Sequence, residues 1–176
     1  LQDDELSSAP LDIHTGQVYD MALDADGRFW LGSERGLFVH TMEGPQKVQL
    51  PQTLYLYTHA VLPDRWSGVW AGAMTFGLFH SNGQTGRSWA LPAPFSDIDA
   101  LARDERGSLW IGASPGLLQV SLPTVGLPDS LRWRAHTTRD GLILSNVRDL
   151  AVRDGKLYCA TATGGVAIYD GTTWSS

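Results

Sequence analysis

Four polar side chains of different chemistry occupy one equivalent position in four related segments of this chain. They are Tyr19, His59, Asp99 and Arg148. Two residues after each of them stands an apolar residue: Met21, Val61, Leu101 or Leu150. An aromatic face beside carboxylate and guanidinium groups suits a ligand rich in hydroxyl groups, bound by stacking and by paired hydrogen bonds. The constant apolar position is expected to be scaffold, and the variable polar position is expected to carry function.

Other polar and aromatic residues are expected near the same end of the fold. They belong to segments 34–35, 74–76, 114–115 and 161–163, and to the segment that leads into the fourth copy. The candidate ligand-binding set is therefore Tyr19, Glu34, Arg35, His59, Phe76, Asp99, Asn146 and Arg148. The alternative for each of these residues is a solvated position on the rim of a wet channel.

The elements that must position these side chains are copies of one repeat. The copies span residues 18–40, 58–81, 98–120 and 147–169. Trp30, Trp70 and Trp110 precede the same small-Gly-small trio at a spacing of 40 residues, and Tyr158 takes this place in the last copy. A repeat of this length indicates a propeller, a solenoid or another array.

Each copy is predicted to form strands. Residues 18–23 form an apolar run that ends in an Asp-Gly turn signal at residues 24–27, and a second run and a third run follow at 28–33 and 37–41. A fourth strand is expected at residues 47–50, 87–91, 131–136 and 172–175. Four strands in about 40 residues are typical of a propeller blade. No window shows sustained helical spacing, so the predicted fold is an all-β propeller of four-stranded antiparallel blades with almost no helix.

The chain is predicted to be a single propeller domain with four blades. Their expected boundaries are 11–50, 51–91, 97–136 with a loop at 122–130, and 137–176. Residues 1–10 are expected to be a loose lead-in or a weak outer strand. Three arrangements stay open: a piece of a longer propeller, a closed four-bladed ring, or half of an eight-bladed ring made by two copies. We favour the first, because neither terminus shows an obvious capping device.

Two motifs in the repeat resemble a known family. Residues 104–112 read DERGSLWIG, and residues 137–147 read TTRDGLILSNV. The pattern resembles the two-component-regulator propeller repeat over nearly all of the chain after Gly16. Two departures are the turn Trp66-Ser67-Gly68 in the second copy and Tyr158 in place of Trp in the fourth.

The resemblance implies a location and a role. Such repeats form propellers in the periplasmic sensor part of bacterial hybrid histidine kinases, many of which respond to saccharides, and they also occur in other surface and secreted proteins. The chain is therefore expected to be a ligand-binding sensor module, periplasmic or extracellular, attached to a signalling region in a longer protein. A homodimer is a further expected partner arrangement.

Composition excludes several other classes of protein. The formal net charge is −6, and the 13 basic residues are scattered, which argues against nucleic-acid binding. No apolar run of about 18 residues is present, so no membrane insertion of this segment is expected. The single cysteine, Cys159, cannot form an internal disulfide and is expected to be an inert buried thiol.

The search for catalytic motifs favours a non-catalytic protein. The five histidines make no spaced metal pair, residues 24–27 lack the rest of a calcium loop, and no nucleophile elbow or phosphate loop occurs. No metal and no cofactor are predicted. An assembly or protein-interaction scaffold is the main alternative to a sensor. A propeller lyase, with His59 beside Asp99 or Glu34 as its base, is a more distant one.

Overall fold

Each copy of the repeat forms one antiparallel sheet of four strands joined in sequence order. The computed structural model describes residues 15–41, 44–49, 57–65, 67–74, 77–142 and 146–176. Blade 1 consists of β1 (Val18–Leu23), β2 (Phe29–Ser33), β3 (Gly36–Thr41) and β4 (Gly44–Lys47). Blade 2 consists of β5 (Thr58–Pro63), β6 (Val69–Ala73), β7 (Gly77–Ser81) and β8 (Gly86–Trp89). Blade 3 consists of β9 (Ser96–Arg103), β10 (Ser108–Ser114), β11 (Gly116–Ser121) and β12 (Trp133–His136). Blade 4 consists of β13 (Val147–Arg153), β14 (Lys156–Thr161), β15 (Gly165–Tyr169) and β16 (Trp174–Ser175).

The predicted fold class is confirmed. The first strands of neighbouring blades pack against each other in the order β1, β5, β9 and β13, so they are the innermost strands of the propeller. The helical content of the described residues is one 3₁₀ turn, Thr138–Asp140, as expected from the lack of helical spacing. None of the described residues forms a helix long and apolar enough to cross a membrane. The ring is not closed, because β13 makes no comparable contact with β1 in the described ranges; of the three arrangements left open by the sequence, the closed four-bladed ring is therefore excluded.

The fourth strand begins earlier than expected in blade 1. It runs from Gly44 to Lys47 rather than over residues 47–50, because Gly44 has a φ of 106° and turns the chain directly back from Thr41. In blades 3 and 4 the fourth strand falls within the expected segment but is shorter, and in blade 2 it runs from Gly86 to Trp89 rather than over residues 87–91. Residues 1–14, Leu50 and the linker residues 51–56 lie outside the described residues.

The aspartate and tryptophan of the repeat motif form a hydrogen bond within the blade. Trp30 Nε1 donates to Asp24 Oδ2 at 2.7 Å, and Trp110 Nε1 donates to Asp104 Oδ2 at 2.9 Å. The other oxygen of each carboxylate accepts backbone N–H groups of the turn, including that of Ser108 at 2.8 Å. The Asp–Trp pair therefore closes the turn between the first two strands and gives the buried indole N–H a hydrogen-bond acceptor. Its role is structural.

In blade 2 the turn aspartate and the tryptophan do not bond to each other. Its turn aspartate, Asp64, lies 2.7 Å from His80 Nε2 and 3.0 Å from the guanidinium of Arg103, a residue of blade 3. The indole N–H of Trp70 has no hydrogen-bond partner among the described residues. The irregular turn seen in the sequence thus coincides with a carboxylate that joins two blades instead of closing one hairpin; Trp66 lies outside the described residues.

The glycine of the small-Gly-small trio sets the distance between blades. A Cβ at Gly32 would lie 2.7 Å from the carbonyl oxygen of Thr58 in the next blade, and one at Gly112 would lie 2.6 Å from Val147 Cγ1. A Cβ at Gly72 would lie 2.7 Å from Ile98 Cβ and closer still to Ile98 Cγ2. Glycine is therefore needed at this point because the first strand of the next blade passes directly over it.

Replacing Gly72 with alanine should destabilise the junction of blades 2 and 3. Overpacking of a close-packed interior costs about 1–3 kcal/mol, and we expect a loss of that size in the free energy of unfolding. Denaturant unfolding followed by tryptophan fluorescence would measure it. Trimming the facing side chain with Ile98→Ala should relieve part of the overlap, so the double variant should lose less than the sum of the two single losses. Strict additivity would contradict a direct clash.

Candidate functional site

The first strand of every blade is irregular at the position that carries the variable side chain. The pairing register shifts around Tyr19 in β1, around His59 in β5 and around Arg148 in β13. In β9 a wider shift includes Asp99. A β-bulge bends its strand and changes the direction of a side chain. Each blade therefore has one position in its first strand whose side chain does not follow the regular alternation between the two faces of the sheet.

These four side chains form a continuous row across the four blades. The ring centroids of Tyr19 and His59 are 4.3 Å apart, with the ring planes tilted by 54°. His59 Nδ1 lies 3.1 Å from Asp99 Oδ1, and the guanidinium of Arg148 donates to Asp99 Oδ2 at 2.9 Å. Asp99 thus links the imidazole of the blade before it to the guanidinium of the blade after it. We call the four residues the inner row.

The side chains of the inner row differ in their exposure to solvent. The side chains of Asp99 and His59 are 16% and 22% exposed, whereas that of Arg148 is 57% exposed. Within the part of the chain that the structure describes, the His59 side chain makes no other hydrogen bond and the Tyr19 side chain makes none. The middle of the row is therefore held in place by the contacts of His59 and Arg148 with Asp99, and its two ends, Tyr19 and Arg148, are accessible to a ligand.

Two further carboxylates lie beside the inner row and were not among the predicted site residues. Asp20 accepts the backbone N–H of Val61 in blade 2 at 2.8 Å, and Asp149 accepts that of Leu150 at 2.8 Å. Burial raises the pKa of Asp20, and the charge of Asp149 raises it further, although the N–H groups of Val61 and Met21 act in the opposite sense. Comparing the copies one position after the variable residue would have found both carboxylates, since blades 2 and 3 have alanine there.

Three other predicted site residues, Glu34, Arg35 and Asn146, lie beside or within the segments that lead into β1 and β13. The backbone N–H groups of Glu34 and Arg35 donate to the carbonyls of Gln17 and Thr15, so this hairpin lies against the chain that leads into β1. The carbonyl of Asn146 accepts the N–H of Ala162 at 3.0 Å in the corresponding place of blade 4. Among the described residues, no hydrogen bond or ion pair joins the side chain of Glu34 or Asn146 to the inner row. Phe76 lies outside the described residues.

The remaining candidates for chemistry are structural. His80 is bound to Asp64, and His136 is packed among Trp110, Tyr169 and Trp174. Burial raises the pKa of the Cys159 thiol to about 12, which disfavours the thiolate. Over the described ranges no three His, Cys, Asp or Glu side chains are grouped closely enough to hold a metal ion.

The inner row combines an aromatic face, an imidazole and an ion pair on one side of the channel. An aromatic ring can stack on the apolar face of a sugar-like ring, while the imidazole, carboxylate and guanidinium can exchange hydrogen bonds with hydroxyl groups. The arrangement is suited to recognition of a polar ligand. The His59–Asp99 pair also has the geometry of a base oriented by a carboxylate, but among the described residues no Ser, Thr or Cys side chain is hydrogen-bonded to His59.

Comparison with known proteins agrees with the fold. The family model for the two component regulator propeller matches residues 12–35, so the resemblance drawn from the repeat motifs is confirmed over that segment. No curated protein sequence is significantly similar to the chain.

Several solved structures are similar to this chain. One is the extracellular domain of BT4673 from B. thetaiotaomicron, described as a one component system, with a TM-score of 0.72, 20% identity, and coverage of 92% of this chain and 22% of that one. Another is the extracellular domain of BT3049 from the same organism, described as a hybrid two component system, with a TM-score of 0.72, 17% identity, and 90% and 22% coverage. A virginiamycin B lyase from Staphylococcus aureus, solved with quinupristin, has a TM-score of 0.72, 12% identity, and 93% and 56% coverage.

These similarities to solved structures are evidence for the fold alone. The identities are too low to carry over an activity, and this chain spans about a fifth of the length of the first two structures. Extracellular domains of signalling proteins and a lyase thus use the same propeller architecture, and function must be argued from the residues of the site.

Proposed function

We propose that this chain is a non-catalytic, ligand-binding propeller module of a sensory protein, and that it binds a hydroxyl-rich ligand such as a saccharide. The observation that carries the proposal is the inner row, in which each blade contributes one side chain of different chemistry to a single connected set. A scaffold needs no such variation at an otherwise repeated position. Signalling would follow from ligand occupancy through a region attached to the propeller in a longer protein.

The location proposed for the module is periplasmic or extracellular. The extracellular placement of the BT4673 and BT3049 domains supports it, as does the match to the regulator propeller repeat at residues 12–35. Saccharides outside the cell would then reach the channel mouth directly. Glu34 and Arg35 would serve as rim residues that a larger oligosaccharide contacts after its first ring has bound at Tyr19.

The binding proposal predicts a clear effect of breaking the ion pair in the inner row. A panel of neutral and uronic-acid-containing oligosaccharides would first be screened by calorimetry. For any saccharide that binds, Asp99→Ala should weaken affinity by about tenfold to a hundredfold, because it removes one acceptor and also releases His59 and Arg148 from their positions, at about 1.4 kcal/mol per tenfold change.

A matched control separates binding from folding. Asp129→Ala breaks an exposed ion pair with Arg87, far along the chain from the inner row, and should leave affinity unchanged. Circular dichroism would verify that both variants stay folded. Unchanged affinity in both Asp99→Ala and Arg148→Ala, for a saccharide shown to bind, would rule out the inner row as the site.

An interaction scaffold is the second candidate, and the exposed apolar residues of blade 1 favour it. Met21, Leu23 and Phe29 are each about half exposed or more, and monomeric proteins seldom leave such neighbours uncovered. This candidate expects protein binding through a blade face and no response to saccharides.

A lyase is the third candidate, and the His59–Asp99 pair is the observation in its favour. Glu34, the other partner considered for His59, contacts residues 16–17 instead. Cleavage of quinupristin by this chain, abolished in His59→Ala, would support the lyase and count against the non-catalytic proposal.

A further inference from the structure

Two departures from the repeat meet at one cleft between blades 2 and 3. The irregular turn of blade 2 contributes Asp64 and Ser67 to its lining. The insertion of blade 3 at residues 122–130 contributes Gly126 and Leu127. The cleft has a volume of about 730 Å³, within the range of roughly 300–1,000 Å³ that is typical of small-molecule sites. Blades 2 and 3 each have a described blade on both sides, so the walls of the cleft do not depend on any further blade.

The insertion is held against blade 2. Arg87 in β8 donates to the carbonyl of Pro128 at 3.1 Å and also pairs with Asp129, whose side chain is 97% exposed and does not line the cleft. In blades 2 and 4, residues 82–85 and 170–173 suffice for the same connection between the third and fourth strands. The extra length in blade 3 is therefore not needed to join the strands, and its effect is to add a wall to the cleft.

Two of the residues that line the cleft are buried and ionisable. Asp64 is 4% exposed and His80 is 6% exposed, and His80 Nε2 lies 2.7 Å from Asp64 Oδ2. Arg103 lies 3.0 Å from the other oxygen of Asp64 and balances its charge. His80 Nδ1 has no hydrogen-bond partner among the described residues, so it is left for a group bound in the cleft.

Blade 2 lacks a hydrogen bond that the repeat makes in two other blades. Trp30 and Trp110 donate to the turn aspartates of their own blades. The buried N–H of Trp70 has no such acceptor within the described ranges, since both oxygens of Asp64 face other residues. A buried N–H without a partner destabilises a fold. Departures of this kind from an otherwise consistent pattern are expected at functional sites.

The remaining polar groups of the cleft can both donate and accept hydrogen bonds. Asn82 Oδ1 accepts the backbone N–H groups of Gln84 and Thr85, which leaves its Nδ2 group to donate. The hydroxyl oxygens of Ser67 and Thr85 can accept, as can His80 Nδ1 in the neutral ring. A hydroxyl group does both at once. This mixture, in which the charged groups already have ionic partners, therefore suits a neutral polyol.

We propose that this cleft is a second ligand site, separate from the inner row, and that it binds a neutral monosaccharide or a polyol of similar size. Leu127 in the insertion provides an apolar contact for the C–H groups of the ring. Arg87, which fixes the insertion, donates to hydroxyl groups of the ligand through its remaining N–H groups. The proposal does not rest on the inner row, because no inner-row residue lines the cleft.

Saturation-transfer difference NMR would test the proposal with glucose, galactose and mannose added to the intact chain. Each titration is repeated in Asp99→Ala, which breaks the inner row, and at least one of the sugars should bind both proteins equally. In the Asp99→Ala background, Arg87→Ala should weaken binding by about tenfold or more, and Thr85→Val should weaken it by about threefold to tenfold. Each of these changes removes hydrogen-bonding groups from the cleft.

Arg132→Ala and Thr124→Val are the matched controls. They make the same or a closely similar chemical change at exposed positions beside and within the insertion, and neither residue lines the cleft. Both variants should leave sugar binding unchanged. Circular dichroism would verify that every variant stays folded.

Three results would overturn the proposal. They are the absence of saturable binding for all three sugars, an equal loss in the cleft variants and their controls, and a loss in Asp99→Ala that the cleft variants do not share. The last of these would support the inner row alone. Binding that survives Asp99→Ala and is lost in Arg87→Ala would support the cleft, so the outcomes for the cleft and for the inner row are distinguished.

Discussion

Replacing Asp64 with alanine should lower the free energy of unfolding by about 3 kcal/mol, the cost of removing one partner from a buried ion pair. The Asp64 side chain is 1% exposed and binds both His80 in its own blade and Arg103 in blade 3. Its loss leaves a buried imidazole and a half-buried guanidinium without an acceptor. Because Arg103 keeps some contact with solvent, the expected loss lies at the low end of the range for fully buried pairs.

Denaturant unfolding would measure this loss, and Asp129→Ala supplies the comparison. That substitution makes the same chemical change in an exposed ion pair with Arg87 and should cost less than about 1 kcal/mol. An equal cost for the two variants would show that Asp64 does not join blades 2 and 3. Asn in place of Asp64 should fall between wild type and alanine, because the amide oxygen can still accept one hydrogen bond.

Stability of the fold should also fall between pH 6.5 and pH 4 because of His136. Burial, together with the charge of Arg134, lowers the pKa of His136 from 6.5 to about 4, while Asp140 acts in the opposite sense. The unfolded chain therefore takes up a proton near pH 6.5 that the folded chain cannot accept until about pH 4. The contribution of neutral His136 to the free energy of unfolding is complete above pH 6.5 and is lost as the pH falls toward 4. The total loss is up to about 3 kcal/mol.

A non-titrating variant isolates this effect. His136→Phe keeps a ring among Trp110, Tyr169 and Trp174, and its stability should change less with pH over this window than that of wild type. The buried carboxylates Asp24 and Asp64 do not interfere: desolvation acts to raise their pKa values, but hydrogen bonds outweigh it and lower them. Their contribution is therefore lost only below about pH 4. Parallel pH profiles for wild type and His136→Phe would refute the assignment.

Much of the fold could be predicted from the sequence because the information is local and repeated. Alternation of apolar residues and a turn that contains Asp and Gly recur in each copy, and the Trp-x-Gly step recurs in the first three; each acts within a few residues along the chain. The same comparison between copies predicted which inner-strand position varies. Tyr19, His59, Asp99 and Arg148 could therefore be named as a set before their distances were known.

The sequence by itself determined four four-stranded blades, their core tryptophans and the position of the variable inner residues. Only the tertiary structure decided what those residues contact, because Asp99 reaches into two neighbouring blades and Asp64 reaches Arg103 across a blade boundary, 39 residues along the chain. Local spacing cannot specify such contacts, since they depend on the length of side chains and on the angle between sheets.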